Sequence, residues 1–150
     1  MRFSLAAAAA CAALLIAATP ALAEGAKPEE VLKMRQGLWQ AVKTNFGPIG
    51  AVAKGEAPMG PQTVEQAEAL AALARIVPMG FTPGSEKIDG ARTKPEAWTD
   101  ARFRGGLESF QAETAKLAAA VKAGQGDAVK AQAGAVGKLC KGCHDNFRND

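Results

Sequence analysis

Apolar residues recur along this chain at helical spacing, and no stretch alternates as a strand does. Leu32, Arg35, Trp39, Val42 and Phe46 fall at i, i+3, i+7, i+10 and i+14, predicting a first helix over 28–45 that Gly47-Pro48 stops. A loop with Gly50, Gly55, Pro58 and Gly60 follows. A second helix starts near Pro61, with Thr63 and Gln66 spaced as a capping box and Ala69, Leu73 and Ile76 as its stripe. Pro78 ends it, and residues 79–92 read as a long Gly/Pro loop. Thr93 and Glu96 are again spaced as a capping box, with Pro95 in the first turn. The third helix then carries Phe103, Leu107, Phe110, Thr114, Leu117 and Val121 on one face, interrupted by Gly105-Gly106. After a tight break at 124–127, with Asp127 as the expected N-cap, a fourth helix runs over 128–148. Val129, Val136, Cys140, Cys143 and Phe147 mark one of its sides. Four helices, two joined by a very short turn, predict an all-α, antiparallel four-helix bundle.

The start of the chain belongs to another process. Arg2 precedes an uncharged apolar run over 5–18, and Ala21-Leu22-Ala23 has the small-x-small form of a secretory cleavage site. Residues 1–23 are therefore expected to be a signal peptide and 24–150 the bundle domain. The apolar run is shorter than the roughly 20 residues a membrane helix needs, so no membrane insertion is expected. The net charge of +3 falls by one with Arg2, and no Lys/Arg cluster appears, which argues against nucleic acid. With no Tyr, two Trp and six Phe in 150 residues, large core side chains are scarce. Such an alanine-rich chain either packs its helices very closely or encloses something apolar that is not protein.

Cys140-Lys141-Gly142-Cys143-His144 is the dense chemical signal. C-x-x-C-H is the attachment pattern of a c-type haem. On a helix, i and i+3 place both sulfurs on one side, where they can form thioethers with the two porphyrin vinyl groups. The next residue, His144, is then the axial iron ligand. A disulfide or redox C-x-x-C is the first competing reading, but thioredoxin-like sites need a β-α-β context. Zinc is the second, and two Cys with a single His fall short of four ligands. Because His144 is the one histidine of the chain, bis-histidine ligation is excluded.

With that motif at the end of a four-helix pattern, Met34-Arg35-Gln36 in the first helix and Pro95-Glu96-Ala97-Trp98 before the third, the chain resembles the cytochrome c′ family, the class II c-type cytochromes of bacteria. The resemblance implies a periplasmic protein with one covalent haem c. It also implies a homodimer built on the first two helices. The iron would be five-coordinate and high-spin. The role would be single-electron transfer with unidentified redox partner proteins, or binding of NO and CO, and not enzymatic turnover. A low-spin, Met-ligated class II electron carrier is the alternative, and a haem-free thiol oxidoreductase a remoter one.

Site residues follow by position. An inward-facing Arg35 needs an anion, and the resemblance assigns Arg35 and Gln36 to the haem propionates; the competing reading has Arg35 snorkelling to solvent. Trp39 occupies the position that covers the distal side of the haem, where the family often has a smaller apolar residue; otherwise it is plain core. Phe81 matches an aromatic pocket residue, while Met79 stands where some relatives have Trp. Arg148, one turn after His144, matches a basic residue beside the proximal imidazole, or is simply a cation at a helix C-terminus. Ala133 and Gly137 leave room for a flat macrocycle or for close helix packing. A sixth ligand would have to be Met34, Met59 or Met79.

Overall fold

The computed structural model describes residues 27–149, so the expected signal peptide lies outside the described residues. Four helices follow one another: α1 (Pro28–Ala53), α2 (Pro61–Ile76), α3 (Ala101–Lys122) and α4 (Gly126–Phe147). Single 3-10 turns at Val77–Gly80 and Pro95–Trp98 punctuate the connection between α2 and α3. Each helix packs on its neighbours in sequence, and α4 closes the ring against α1. Neighbours run antiparallel. Lys122 at the end of α3 reaches Glu68 in the first half of α2 at 3.2 Å, and Phe103 at the start of α3 meets Phe147 at the end of α4, 5.2 Å between rings. One end of the bundle therefore gathers the start of α1, the end of α2, the start of α3 and the end of α4.

α3 follows its pattern without exception: Phe103, Leu107, Phe110, Thr114, Leu117 and Val121 are all buried. Thr114 brings a hydroxyl into the core and satisfies it within its own helix, on Phe110 O at 2.8 Å. Gly105-Gly106 does not break α3, and a Cβ at either glycine would meet nothing within 4 Å. The structure gives no reason for the pair.

Elsewhere the boundaries differ from expectation, each for a local reason. α1 does not stop at Gly47-Pro48 but runs through Pro48 to Ala53. Pro48 and Thr44 both face solvent, so water can take the carbonyl that the proline leaves unpaired. The next residue, Ile49, is fully buried and ties this turn to the core. On α2 the buried face is Ala67, Leu70, Ala71 and Ala74, while the expected stripe of Ala69, Leu73 and Ile76 lies at its edge, with Ile76 exposed. Three of these four inward positions are alanine, so α2 turns a mostly small-residue face to the core. Thr63 is not the N-cap but the third residue of α2, its hydroxyl accepting from Gly60 N at 3.1 Å. At α3 the cap is Asp100, whose Oδ1 accepts from Arg102 N at 2.8 Å; Thr93 instead pairs with Arg148. Asp127 sits inside the first turn of α4, after Gln125.

Candidate functional site

The chemistry gathers at the end where α1 starts and α4 finishes. Cys140 and Cys143 lie one turn apart on α4, half-buried and unbonded, against the edge of the core. Burial pushes both thiols above their ordinary range, and the neighbouring Cys140 pushes Cys143 further. They occupy the last turns of a helix, where the dipole does nothing to stabilise a thiolate. His144 is exposed beside them. Partial burial lowers its affinity for a proton, the positive charge of Arg148 lowers it further, and Asp145 opposes both.

An open pocket of about 510 Å³ lies around His144, lined by Arg92, Lys94, Asp145 and Arg148. The loop residues reach it through backbone pairing: Lys94 N donates to Phe147 O at 2.8 Å and Asn149 N to Arg92 O at 2.7 Å. This short antiparallel clamp fixes the long connection to the end of α4. Arg148 is exposed, as is Gln36 on α1.

Arg35, in the first turns of α1, lies at the same end. It is only 3% exposed, so it does not snorkel. Its Nε donates to Gly80 O at 2.7 Å, and one Nη2 serves both the carbonyl (3.0 Å) and the hydroxyl (2.9 Å) of Ser85. The guanidinium packs on the rings of Phe81 and Trp98, 4.9 and 4.7 Å from their centroids, and these two rings meet each other at 5.4 Å. Phe81 in turn meets Phe103 edge-on at 4.8 Å. Gly80 approaches so closely that a Cβ there would stand 3.2 Å from Arg35 Cβ. One atom is left over: Arg35 Nη1 is buried without a hydrogen-bond partner. Burial lowers the Arg35 pKa, against the pull of Glu86.

Trp39, one turn beyond Arg35, is half-buried and packs on Phe110 at 5.9 Å. Trp39, Phe81, Cys140 and Cys143 all border the same core cluster. Ala133 is a buried core residue, and Gly137, half-buried, has nothing within 4 Å of a built Cβ.

Sequence reasoning thus placed Arg35, Trp39, Phe81, the two cysteines and His144 at one end, but missed what surrounds Arg35. Gly80, Ser85 and the Trp98 ring sit 45 to 63 positions further along the chain, beyond any helical periodicity. One signal was available: an inward arginine requires acceptors, and Ser85 is a small polar residue in a loop of glycine and proline.

Residues 30–148 match the family model described as cytochrome C′. A cytochrome c′ of Rubrivivax gelatinosus is 36% identical over 124 residues, which cover 81% of this chain and 96% of the relative. Among solved structures, an NO-bound ferrous variant of cytochrome c prime from Alcaligenes xylosoxidans is similar, with TM-score 0.77 and 36% identity, covering 85% of this chain and 99% of that one. A CO-bound variant of the same protein gives TM-score 0.76 and 37% identity over 83% and 98% of the two chains.

The residues present fit a covalent haem c. Two unpaired thiols on one side of α4 precede a histidine that no other side chain holds in a hydrogen bond, and an unpaired cationic N–H is buried at the same end of the bundle. The chain belongs to the cytochrome c′ family, whose proteins carry haem c bound through the two cysteines of a C-x-x-C-H motif such as Cys140–His144.

Proposed function

We propose that this protein is an exported, periplasmic haem protein that takes and gives single electrons and binds NO or CO at an open iron position, without substrate turnover. When bound, the haem supplies a one-electron couple and an iron site for a diatomic ligand. The chain's own residues do the rest. Cys140 and Cys143 anchor the group to α4, and His144 is its protein ligand. Phe81 and Phe103 pack edge-on at that end of the bundle, and Arg35 supplies a buried positive charge there.

The observation that carries this reading is the position of the methionines. Met34 is exposed on α1 and Met79 is 61% exposed in the turn after α2. Met59 follows the far end of α1, a helix of 26 residues and so about 39 Å long. Met59 also borders the core, but beyond the end of α1 opposite Arg35, and Met34 and Met79 face solvent, which disfavours the low-spin, Met-ligated alternative. The NO- and CO-bound relatives support a ligand-accepting iron. The thiol-redox alternative is disfavoured because a reactive cysteine needs a lowered pKa, and both of these are raised.

Trp39 narrows the choice of ligand. Its indole does not coordinate iron, and its bulk on the distal side admits diatomic molecules and hinders larger ones. The exposed large apolar residues among those described, Met34, Ile76 and Met79, lie on α1, α2 and the turn that follows, which supports a homodimer through the first two helices. Sedimentation as a dimer at micromolar concentration is the expected result.

The deciding experiment is the spectrum of the purified, haem-loaded protein together with CO association in wild type and Trp39→Ala. A high-spin, five-coordinate ferrous spectrum and a CO association rate raised about tenfold, the equivalent of about 1.4 kcal/mol of barrier, are expected. A low-spin resting spectrum with a methionine-to-iron charge-transfer band overturns the open-iron reading.

A further inference from the structure

We infer that Ser85 and Trp98 are positioning residues which hold Arg35 so that its one unpartnered nitrogen, Nη1, faces the haem carboxylate. The inference rests on the haem reading above and extends it to residues of the connection between α2 and α3.

The argument starts from the hydrogen-bond inventory of a guanidinium, five donors in a rigid plane. Nε and Nη2 of Arg35 are taken up by Gly80 O and by the carbonyl and hydroxyl of Ser85. Phe81 and Trp98, in contact with each other at 5.4 Å, both pack against the guanidinium. With Nε and Nη2 bonded and the Phe81–Trp98 pair packed against it, the group cannot rotate without breaking charge-assisted bonds. The remaining edge, Nη1, is buried and unpartnered. An unmet buried donor is costly, more so on a cation. A carboxylate arriving at this end removes that cost, and the propionates are the carboxylates a haem brings.

The supports of this clamp are themselves fixed. Ser85 is 2% exposed, and its hydroxyl donates to Thr82 O at 2.7 Å while accepting from Arg35. Trp98 Nε1 donates to the same Thr82 carbonyl at 3.0 Å. Thr82 O thus joins the serine and the indole into one unit, and Gly80 brings that unit into contact with α1. The arrangement gives Trp98 a role that periodicity did not supply. Glu86, the charged neighbour that acts on Arg35, has its carboxylate bonded to Gly84 N at 3.0 Å and forms no ion pair with the guanidinium.

The electrostatic consequence has a sign. A cation held on a propionate cancels negative charge that would otherwise stabilise ferric over ferrous iron. Loosening Arg35 therefore lowers the midpoint potential. The test measures midpoint potential and thermal unfolding of the haem-loaded wild type, Ser85→Ala, Ser85→Thr, Arg35→Met and the double variant. Ser85→Ala is expected to shift the ferric-to-ferrous ratio at fixed potential about threefold toward ferric, or about 28 mV at 59 mV per tenfold. Ser85→Thr keeps the hydroxyl and returns the wild-type value. Ser85→Ala adds nothing further when Arg35 is already Met.

A lowered unfolding temperature with an unchanged potential in Ser85→Ala overturns the inference, since Ser85 would then only brace the loop. So does an equal shift in the Arg35→Met background. Should Arg35→Met fail to fold, the Ser85→Ala and Ser85→Thr pair decides alone. Failure of the haem reading looks different: haem extracted into acid acetone, or no Soret band, in wild type.

Discussion

The two ends of this bundle are built by different means. At the end where α2 begins and α3 finishes, the interior is aliphatic and small: Ile49, Ala67, Leu117, Ala120, Val121 and Val129, with α3 and α4 joined by a short turn through Gly124 at positive φ. At the other end the interior is aromatic and charged. Phe81 and Trp98 pack on a buried arginine, Phe103 and Phe147 continue the aromatic cluster, and a long connection is clamped to the end of α4. The first end meets the demands of packing alone. The second spends helical regularity on polar atoms that must each find a partner, and it leaves Arg35 Nη1 without one. The other buried unpartnered atom among the described residues, Gln132 Oε1 near the start of α4, is a neutral acceptor, so the cationic donor at the aromatic end is the one suited to an anionic foreign group.

The sharpest test of this division sets one substitution at each end against the other. His144→Gly removes the sole histidine, so no side chain of the same kind can replace it on the iron. The expected outcome is loss of the wild-type Soret position and of the ferrous ligand-binding behaviour, with helical circular dichroism retained. Leu117→Ala at the opposite end has the converse signature. Leu117 is fully buried, and truncation costs about 2–5 kcal/mol through lost transfer energy and a residual cavity. Denaturant unfolding should register that loss while the visible spectrum stays as in wild type. If Leu117→Ala alters the haem spectrum, the two ends are not separable units.

A milder substitution probes the contact between the aromatic end and its helix. The Cβ of Gly80→Ala would stand 3.2–3.3 Å from the Cα, Cβ and Cγ of Arg35, atoms too close to the α1 backbone to swing aside. The connection must move outward, stretching the Arg35 Nε bond to Gly80 O. Overpacking of this kind costs about 1–3 kcal/mol. Unlike Leu117→Ala, this variant should lower unfolding stability and shift the haem midpoint potential together. A stability loss without any change in potential would mean that the Gly80 contact serves the fold only.

The same division explains what could be read before the structure. Helical periodicity is a short-range property, and it identified the inner face of α3 residue by residue because each of those side chains meets the core. It also identified Val129, Val136 and Phe147 on α4. It failed on α2, where Leu73 and Ile76 are larger but Ala67, Ala71 and Ala74 are inside. Hydrophobic size ranks residues wrongly where the face a helix turns inward carries mostly alanine. Proline was over-read at Pro48, since the cost of a missing N–H is small where the carbonyl faces water. The cysteines and His144 were legible because covalent attachment demands a fixed spacing. Ser85 and Gly80 were not, because their roles depend on which carbonyls and hydroxyls a long connection lays over Arg35. The family resemblance brought Arg35 and Phe81 into the site, but it did not supply the loop atoms that hold them.

The smallest expected effect lies at the hinge between the two kinds of construction, where the connection hands over to α3. Asp100 caps the helix through Arg102 N, and its carboxylate also pairs with the Arg102 side chain at 2.6 Å. The Arg102 side-chain bond first, and the backbone bond second, hold the Asp100 carboxyl below its ordinary value of 3.8. A carboxyl with a depressed folded pKa favours folding when ionised. Its contribution is complete above the unfolded pKa and is lost as the pH falls through the lower, folded value. Asp100→Asn keeps an oxygen to accept from Arg102 N but loses the charge. The variant should therefore unfold at a slightly lower temperature than wild type at neutral pH, and the gap should close as the pH is taken below 3.8. Thermal melts across that range check it. Because α3 carries Phe103, which meets both Phe81 and Phe147, a frayed first turn would reach the aromatic end first. The haem potential of Asp100→Asn should nonetheless match wild type at neutral pH, since Arg35 and its three acceptors lie on other elements. A shifted potential in this variant would show that the start of α3, and not only the loop before it, sets the position of Arg35.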